Sequence, residues 1–390
     1  MTTQASQKWN RVLLKDAVTF KTGKLNSNAA TKNGKYPFFT CSQEVYKTDT
    51  FSFDTECVLL GGNNANAIYP IFYFKGKFDA YQRTYVIESK DNYIRFLYYL
   101  LTEKLNELRL QSTGSATKFL TIKILNQLPV ELPDYLTQRQ IADLLSTYDD
   151  LIENNTRRIQ ILEQTAQAVY KEWFTSLASK KWNVSTLRDV IDSYIGGGWG
   201  KEEPDKKYSG HAYVIRGTDI PNASTGNIST CPLRYHTPSN LRTRVLQAGD
   251  LVFEVSGGSK GQPVGRSLLI TNNLLDQFKQ NVICASFCKL IRPDQNKISS
   301  FQLYEQILGW YKNGVIEKYQ VQSTGISNFR FESFIDEEKV ILPPEEIREK
   351  FDHLVSPLFD EIYSLGKQNQ NLRQTRNLLL PKLITGEIKV

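Results

Sequence analysis

The sequence predicts an α+β fold: two α/β modules, each followed by a long heptad helix, forming a pseudo-two-fold repeat. Three observations carry this. Short motifs recur in the same order in both halves, apolar residues follow a seven-residue pattern in two stretches, and strand and turn signals fill the segments between.

The repeat comes first. Lys8-Trp9-Asn10 followed by Leu14-Lys15-Asp16 returns as Lys181-Trp182-Asn183 followed by Leu187-Arg188-Asp189, at identical spacing. Gln111-Ser112-Thr113-Gly114 returns as Gln322-Ser323-Thr324-Gly325, and a Leu-Pro pair follows each, at Leu132-Pro133 and Leu342-Pro343. The second module is longer than the first, so a common framework carries unequal interiors. The boundaries that follow are 1–135 and 181–343 for the modules, and 136–180 and 344–390 for the helical segments.

The first module reads as strands at Cys57–Leu60, Ile68–Phe74 and Thr84–Ile87, with turns at Gly61–Asn64 and Lys75-Gly76-Lys77 and a helix from Ile94 to Leu101. The second reads as strands at Gly249–Glu254, Gly265–Ile270 and Val282–Ile291, a glycine-rich loop at Ser256–Gly261, and a helix from Phe301 to Trp310.

The helical segments carry an a/d seam. In the first it runs Ile141, Leu145, Tyr148, Ile152, Asn155, Ile159, Leu162, Ala166, Val169, Trp173. In the second it runs Phe351, Val355, Leu358, Ile362, Leu365, Asn369, Leu372, Arg376, Leu379, Leu383. Matching seams predict two long antiparallel coiled-coil helices packed on each other. One register sets Asn155 against Asn369, Tyr148 against Arg376, Ile152 against Leu372 and Ile159 against Leu365. It is favoured because a buried amide without a partner costs about 1–3 kcal/mol. Two prolines limit the second helix. Ser356-Pro357 reads as a helix start, and Pro381 disfavours helical geometry at Leu380. The expectation is a short helix from about Glu345, a break near Ser356, and a long helix to about Leu380. Twenty-five residues at about 1.5 Å rise span roughly 37 Å, close to one turn of duplex DNA.

Composition narrows the function. Hydrophobic residues make up 40% and charged residues 23% of the 390, typical of a globular protein. No apolar run is long enough to span a bilayer, and the N-terminus has no apolar signal core, so a cytoplasmic protein without membrane contact is expected. Five scattered cysteines fit a reducing compartment. The net charge of +7 leans only slightly toward an anionic partner.

Enzyme motifs are missing. The Gly196–Lys201 run lacks the spacing of a phosphate-binding loop and reads as a mobile loop. No Asn/Asp-Pro-Pro-(Tyr/Phe) motif of an amino-methyltransferase occurs. Cys284 and Cys288 share one face of a predicted strand without a second pair or histidine, so packing is expected rather than zinc. His211, His236 and His353 accompany no nucleophile motif, and Glu202-Glu203 and Glu345-Glu346 read as solvated or helix-start residues.

What remains is loop chemistry suited to DNA, where Lys and Arg meet phosphates or guanine and Gln and Asn meet adenine. The candidates are Lys21, Thr22, Lys24, Asn63, Asn64, Lys75, Gln82 and Arg83 in the first module. In the second they are Lys201, Arg216, Lys260, Arg266, Lys279 and Gln280.

Over essentially its whole length the sequence resembles the specificity subunits of type I restriction-modification enzymes. The resemblance rests on the starts at Trp9 and Trp182, on Ile215-Arg216-Gly217-Thr218-Asp219-Ile220, on Gly249-Asp250, and on the Gln-Ser-Thr-Gly segments before Leu-Pro. Its most specific stretch is Gln138-Arg139-Gln140-Ile141-Ala142-Asp143-Leu144-Leu145, continuing through Asp149–Asn155. It implies two target recognition domains, each reading half of a bipartite, asymmetric site in double-stranded DNA. The helices would space them and dock methyltransferase subunits, with restriction-translocase subunits joining the complex. It implies no catalytic, metal or cofactor site on this chain. S-adenosylmethionine would sit on the methyltransferase partner, and ATP and Mg on the restriction partner. One departure is that Arg348-Glu349 stands where Gln138-Arg139 does, which weakens the expectation that partners use the two helices equally. Two other readings stand beside this one: a self-contained DNA-modifying enzyme, and a coiled-coil scaffold without a DNA role.

Overall fold

A computed structural model of the chain describes residues 9–114, 117–176, 182–257, 262–323 and 326–390. The chain forms two compact units. Unit 1 is Met1–Asp150 with Arg373–Val390, and unit 2 is Leu151–Leu372.

The first module starts with β1 (Asn10–Leu13), α1 (Leu14–Ala17) and β2 (Val18–Thr22), then β3 (Tyr36–Phe39), β4 (Tyr46–Thr48) and β5 (Phe53–Gly61). There follow β6 (Asn63–Asn64), β7 (Ile71–Ala80), β8 (Thr84–Ser89), α2 (Ile94–Gln111), β9 (Lys118–Phe119), α3 (Ile122–Gln127) and β10 (Pro129–Leu132). The first long helix is α4 (Tyr135–Lys171).

Six strands make one sheet in the order β2-β8-β5-β7-β3-β4, antiparallel except for β3 beside β7. Successive residues of β5 point to opposite faces. Val58 and Leu60 meet Phe96, Leu97 and Leu101 of α2 in the main core, while Cys57 and Leu59 join Phe39 and Phe78 on the other face. Burying each such large apolar side chain contributes about 1.5–3 kcal/mol. The turn expected at Lys75-Gly76-Lys77 is absent. β7 continues through it because Gly76, at φ +130°, accepts a backbone bend that a side chain would resist, and the chain reverses only after Ala80.

The second module contains β11 (Asn183–Thr186), β12 (Ile191–Gly196), β13 (Gly210–Ile215), α5 (Ile220–Ser224), β14 (Leu233–His236), α6 (Pro238–Arg244), β15 (Leu251–Glu254) and β16 (Ser256–Gly257). It continues with β17 (Ser267–Leu269), α7 (Asn272–Leu275), β18 (Val282–Cys284), β19 (Cys288–Pro293), α8 (Ser300–Lys312), β20 (Gln320–Ser323), β21 (Ile326–Phe329), α9 (Phe331–Glu337) and β22 (Lys339–Leu342). The second long helix is α10 (Glu345–Ile384).

Here the strands divide into a four-stranded sheet, β12-β19-β15-β17, and a three-stranded sheet, β14-β13-β18. The single strand expected over Val282–Ile291 is two strands in two different sheets, separated at Ala285–Phe287. Cys284 and Cys288 therefore belong to different sheets, both buried, and burial pushes the Cys284 thiol up to about 12. The Gly196–Lys201 segment, expected to be mobile, is anchored. The Gly197 and Gly198 N–H groups donate to the Cys288 and Cys284 carbonyls at 3.0 and 2.9 Å.

The repeated motifs do the same job in each unit. β1 pairs antiparallel with β10, Asn10 opposite Leu132, and β11 pairs with β22, Asn183 opposite Leu342. Leu14 and Leu187 are fully buried just after the first strand of each pair. In unit 1 Trp9 lies against Gly386, which follows the end of α10 at φ +72°, the left-handed position favoured after a helix. In unit 2 Trp182 packs on Phe174, just beyond the end of α4. Each module thus receives the end of the helix that the other module's sequence leads into.

The seam is apolar with polar interruptions. In unit 2 Asn155 Nδ2 donates to Asn369 Oδ1 at 3.1 Å, Arg158 pairs with Glu361 at 2.5 Å, and Tyr170 packs edge-on to Phe351, so α4 and α10 run antiparallel there. Asn155, Ile159, Ile362, Leu365 and Asn369 are buried, and Ile152, Leu162 and Leu372 half-buried. In unit 1 Tyr148 and Arg376 are both half-buried, but Arg376 pairs with the carboxylate of Asp149, its stronger attraction, rather than with Tyr148. The break expected near Ser356 is absent, and α10 runs uninterrupted through Pro357 and Pro381. Pro357 is exposed, so water can serve the carbonyl that its missing N–H leaves unpaired, and Pro381 stands in the last turn. Gly366 lies mid-helix because an added Cβ would sit 2.0 Å from the Thr225 carbonyl oxygen.

Candidate nucleic-acid interface

In the first module the strand–turn–strand from β7 to β8 projects Gln82 and Arg83 into a cavity of about 590 Å³. Thr22 at the end of β2 and Thr113 of the Gln-Ser-Thr-Gly segment complete its polar wall, with Phe119 of β9 bridged to Thr113 beside it. The small β6–β9 sheet fixes that wall, with Asn63 opposite Phe119 and Asn64 opposite Lys118. Gly62 makes the close approach possible. Its N–H donates to the Arg83 carbonyl at 2.8 Å, and a Cβ there would lie 2.6 Å from the same oxygen. The Arg83 guanidinium lies 5.4 Å from the centre of the Phe119 ring, a cation–π contact worth about 0.5–1 kcal/mol when exposed. That contact orients a cation without neutralising it. The buried Asn63 Oδ1 has no hydrogen-bond partner among the described residues.

The other candidates of this module divide in two. Lys21 pairs with Glu88 at 2.6 Å and Lys75 with Glu56 at 3.1 Å, both at the surface, where such pairs contribute about 0–1 kcal/mol and exchange readily for a phosphate. Lys24 is exposed. Asn64 serves its own turn instead, its Oδ1 accepting from the Asn66 and Ile68 N–H groups at 2.8 and 3.3 Å.

In the second module the corresponding corner, beside β16 and its partner β21, holds a cavity of about 400 Å³. Its wall includes Trp199, Gly217, Thr218, Ser256, Gly257 and Phe287, and the Phe287 ring is 59% exposed. Two cations predicted as DNA contacts are held here by carboxylates. Arg216 makes a fork to the buried Asp219 at 2.8 and 2.9 Å and a third bond to the Thr230 carbonyl. Arg266 forks to the buried Glu254 at 2.8 and 2.6 Å. Arg292 and Asp250 form a third such pair. Breaking a pair buried on both sides, as Arg266–Glu254 is, costs about 3–5 kcal/mol, and in the other two pairs the arginine is partly exposed while its carboxylate is buried. Lys201 pairs with Asp205 at the surface and lies over the Tyr208 ring, while Lys279 and Gln280 are exposed just before β18. Lys260 falls outside the described residues, as do Lys8, Lys181, Thr324 and Gly325 of the repeated motifs.

The structure therefore gathers Thr22, Gln82 and Arg83 at one cavity and does not gather the second module's candidates. Sequence reasoning missed Thr113, Phe119, Trp199 and Phe287. The available signal was position for Phe119, which follows the first Gln-Ser-Thr-Gly segment; Phe287 carried none, since only the structure divides the expected strand there.

Residues 6–164 match the family model described as the type I restriction modification DNA specificity domain. The type I restriction enzyme EcoDI specificity subunit of Escherichia coli is 36% identical over 178 residues, 45% of this chain and 39% of that protein. The MjaIX specificity subunit of Methanocaldococcus jannaschii is 26% identical over 340 residues, 78% of this chain and 71% of that protein. The matched part thus spans well under half of the first relative's length. In fold, the crystal structure of a type I restriction-modification S subunit from M. genitalium matches with a TM-score of 0.63 at 15% identity, covering 98% of both chains.

Proposed function

We propose that this chain, whose residues 6–164 match the type I restriction modification DNA specificity domain, reads a bipartite, asymmetric DNA site and directs partner subunits to it without catalysing a reaction itself. The observation that carries this reading is the cavity each module holds at the same place in the repeated framework, lined by different side chains. Residues 1–135 and 181–343 each read one half-site, and residues 136–180 and 344–390 connect them and receive methyltransferase and restriction subunits. In the first module Arg83 and Gln82 face bases, while Lys21, Lys24 and Lys75 hold phosphates. In the second, Lys279 and Gln280 stand exposed, Lys201 can exchange its surface partner Asp205 for a phosphate, and Arg216 and Arg266 hold the module in shape. S-adenosylmethionine belongs to the methyltransferase partner, and ATP and Mg to the restriction partner.

The test uses a labelled methyl donor and plasmid DNA. The account expects no methylation by this chain alone, and site-specific methylation once a methyltransferase subunit is added. Turnover by the lone chain would establish a self-contained enzyme instead. A scaffold without a DNA role predicts DNA affinity with little salt dependence, whereas phosphate contacts make affinity fall steeply as salt rises.

A further inference from the structure

We propose that a cavity between α4, α8 and α10 in unit 2 is a binding site for an alkylammonium group. The cavity measures about 180 Å³ and shares no lining residue with the DNA-facing corners. Two carboxylates line it, Glu163 from α4 and Glu305 from α8. Glu305 is 1% exposed, and its Oε2 has no hydrogen-bond partner among the described residues. Ser267 Oγ, from β17, is likewise buried in the wall without a partner. Acceptor oxygens removed from water without donors are costly, and a cation with N–H groups supplies what they lack.

The chain's own cations do not fill this role. Arg266 in the wall is held by Glu254, and Lys312, whose charge is felt by both carboxyls, forms no ion pair with either among the described residues. The rest of the wall selects the kind of cation. Tyr304, Tyr311 and Phe359 present aromatic surface, which attracts an organic ammonium and accommodates its methylenes. A hydrated magnesium ion, which keeps several waters, fits such a wall poorly. Burial holds the Glu305 carboxyl up at about 8, with Glu163 adding to the shift and Lys312 opposing it. Binding therefore releases a proton from Glu305 and tightens as pH rises, because a primary amine stays charged to about pH 10. The same chemistry is offered by a free polyamine and by a lysine side chain of another protein.

The experiment is calorimetric titration of the full chain, without DNA, with n-butylammonium, spermidine and Nα-acetyl-lysine amide at matched ionic strength. The expected result is saturable binding of n-butylammonium, weaker by at least about tenfold in both Glu305→Gln and Glu163→Gln, and tighter at pH about 8.5 than at about 6.5. Added spermidine binding points to a free polyamine, and added lysine-amide binding to a protein side chain. Absence of saturable binding by all three amines overturns the proposal, as does unchanged affinity in both variants. Because neither variant touches the DNA-facing cavities, its failure would leave the reading of DNA untouched.

Discussion

Module 1 lays one six-stranded sheet beneath α2 and fills the sheet's far face with phenylalanines, Phe39 and Phe78 among them. Module 2 divides its strands between two sheets and braces them with three arginine–carboxylate forks, at Asp219, Glu254 and Asp250. Entry and exit are the same in both: a paired strand, a buried leucine, and a tryptophan beneath a helix end. The difference teaches which residues are framework and which are free to vary. Arg83 in module 1 lies over a ring, without a carboxylate partner among the described residues. In module 2 Arg216 and Arg266 are instead each forked to a buried carboxylate.

The largest effect that should break this comparison is at Arg266. Arg266→Met leaves Glu254 buried without a partner and should lower stability by about 3–5 kcal/mol in urea denaturation. A stable variant that has lost DNA affinity would instead make Arg266 a contact. Next, Arg83→Ala should weaken DNA binding by about 1–3 kcal/mol while leaving the melting temperature unchanged, since Arg83 is exposed. Fluorescence anisotropy across a salt series also shows whether a phosphate contact has gone, through a shallower slope. In the seam, Asn155→Leu leaves the buried Asn369 Oδ1 without its donor and should cost about 1–3 kcal/mol, with most of it returning in the Asn155→Leu/Asn369→Leu double variant. Chemical denaturation of the two variants separates a paired amide from a merely tolerated one.

The last effect is electrostatic and belongs to module 2. Burial raises the Glu305 carboxyl from 4.5 to about 8, so the folded chain holds that proton more tightly than the unfolded chain. Its contribution is complete below about pH 4.5 and is lost as pH rises through about 8. Glu305→Gln should flatten the decline of the urea midpoint across that window, and an unchanged decline would assign it to other groups.

The doubled framework and the antiparallel seam were legible because both are periodic or repeated, and a period survives without knowledge of the third dimension. Asn155 opposite Asn369 follows from matching polar interruptions alone. The interiors were less legible, and for specific reasons. A glycine such as Gly76 signals a turn in sequence, yet here it lets a ten-residue strand bend and continue. The largely apolar run Val282–Ile291 gives no sign that the chain changes sheets within it. Pro357 reads as a helix start, but on an exposed face one lost hydrogen bond does not stop a forty-residue helix that is packed along its length. Arg266 gave no hint of its partner Glu254, twelve residues away, whereas Arg216-x-x-Asp219 carried the spacing of a local cap.

The central claim is that the two modules read separate half-sites with separate chemistry. Exchanging residues 181–343 for the corresponding module of a relative, then mapping methylated adenines in cells that supply the partner subunits, tests it most directly. The account predicts that one half of the methylated site changes and the other half stays as it was; a site altered in both halves, or in neither, would contradict it.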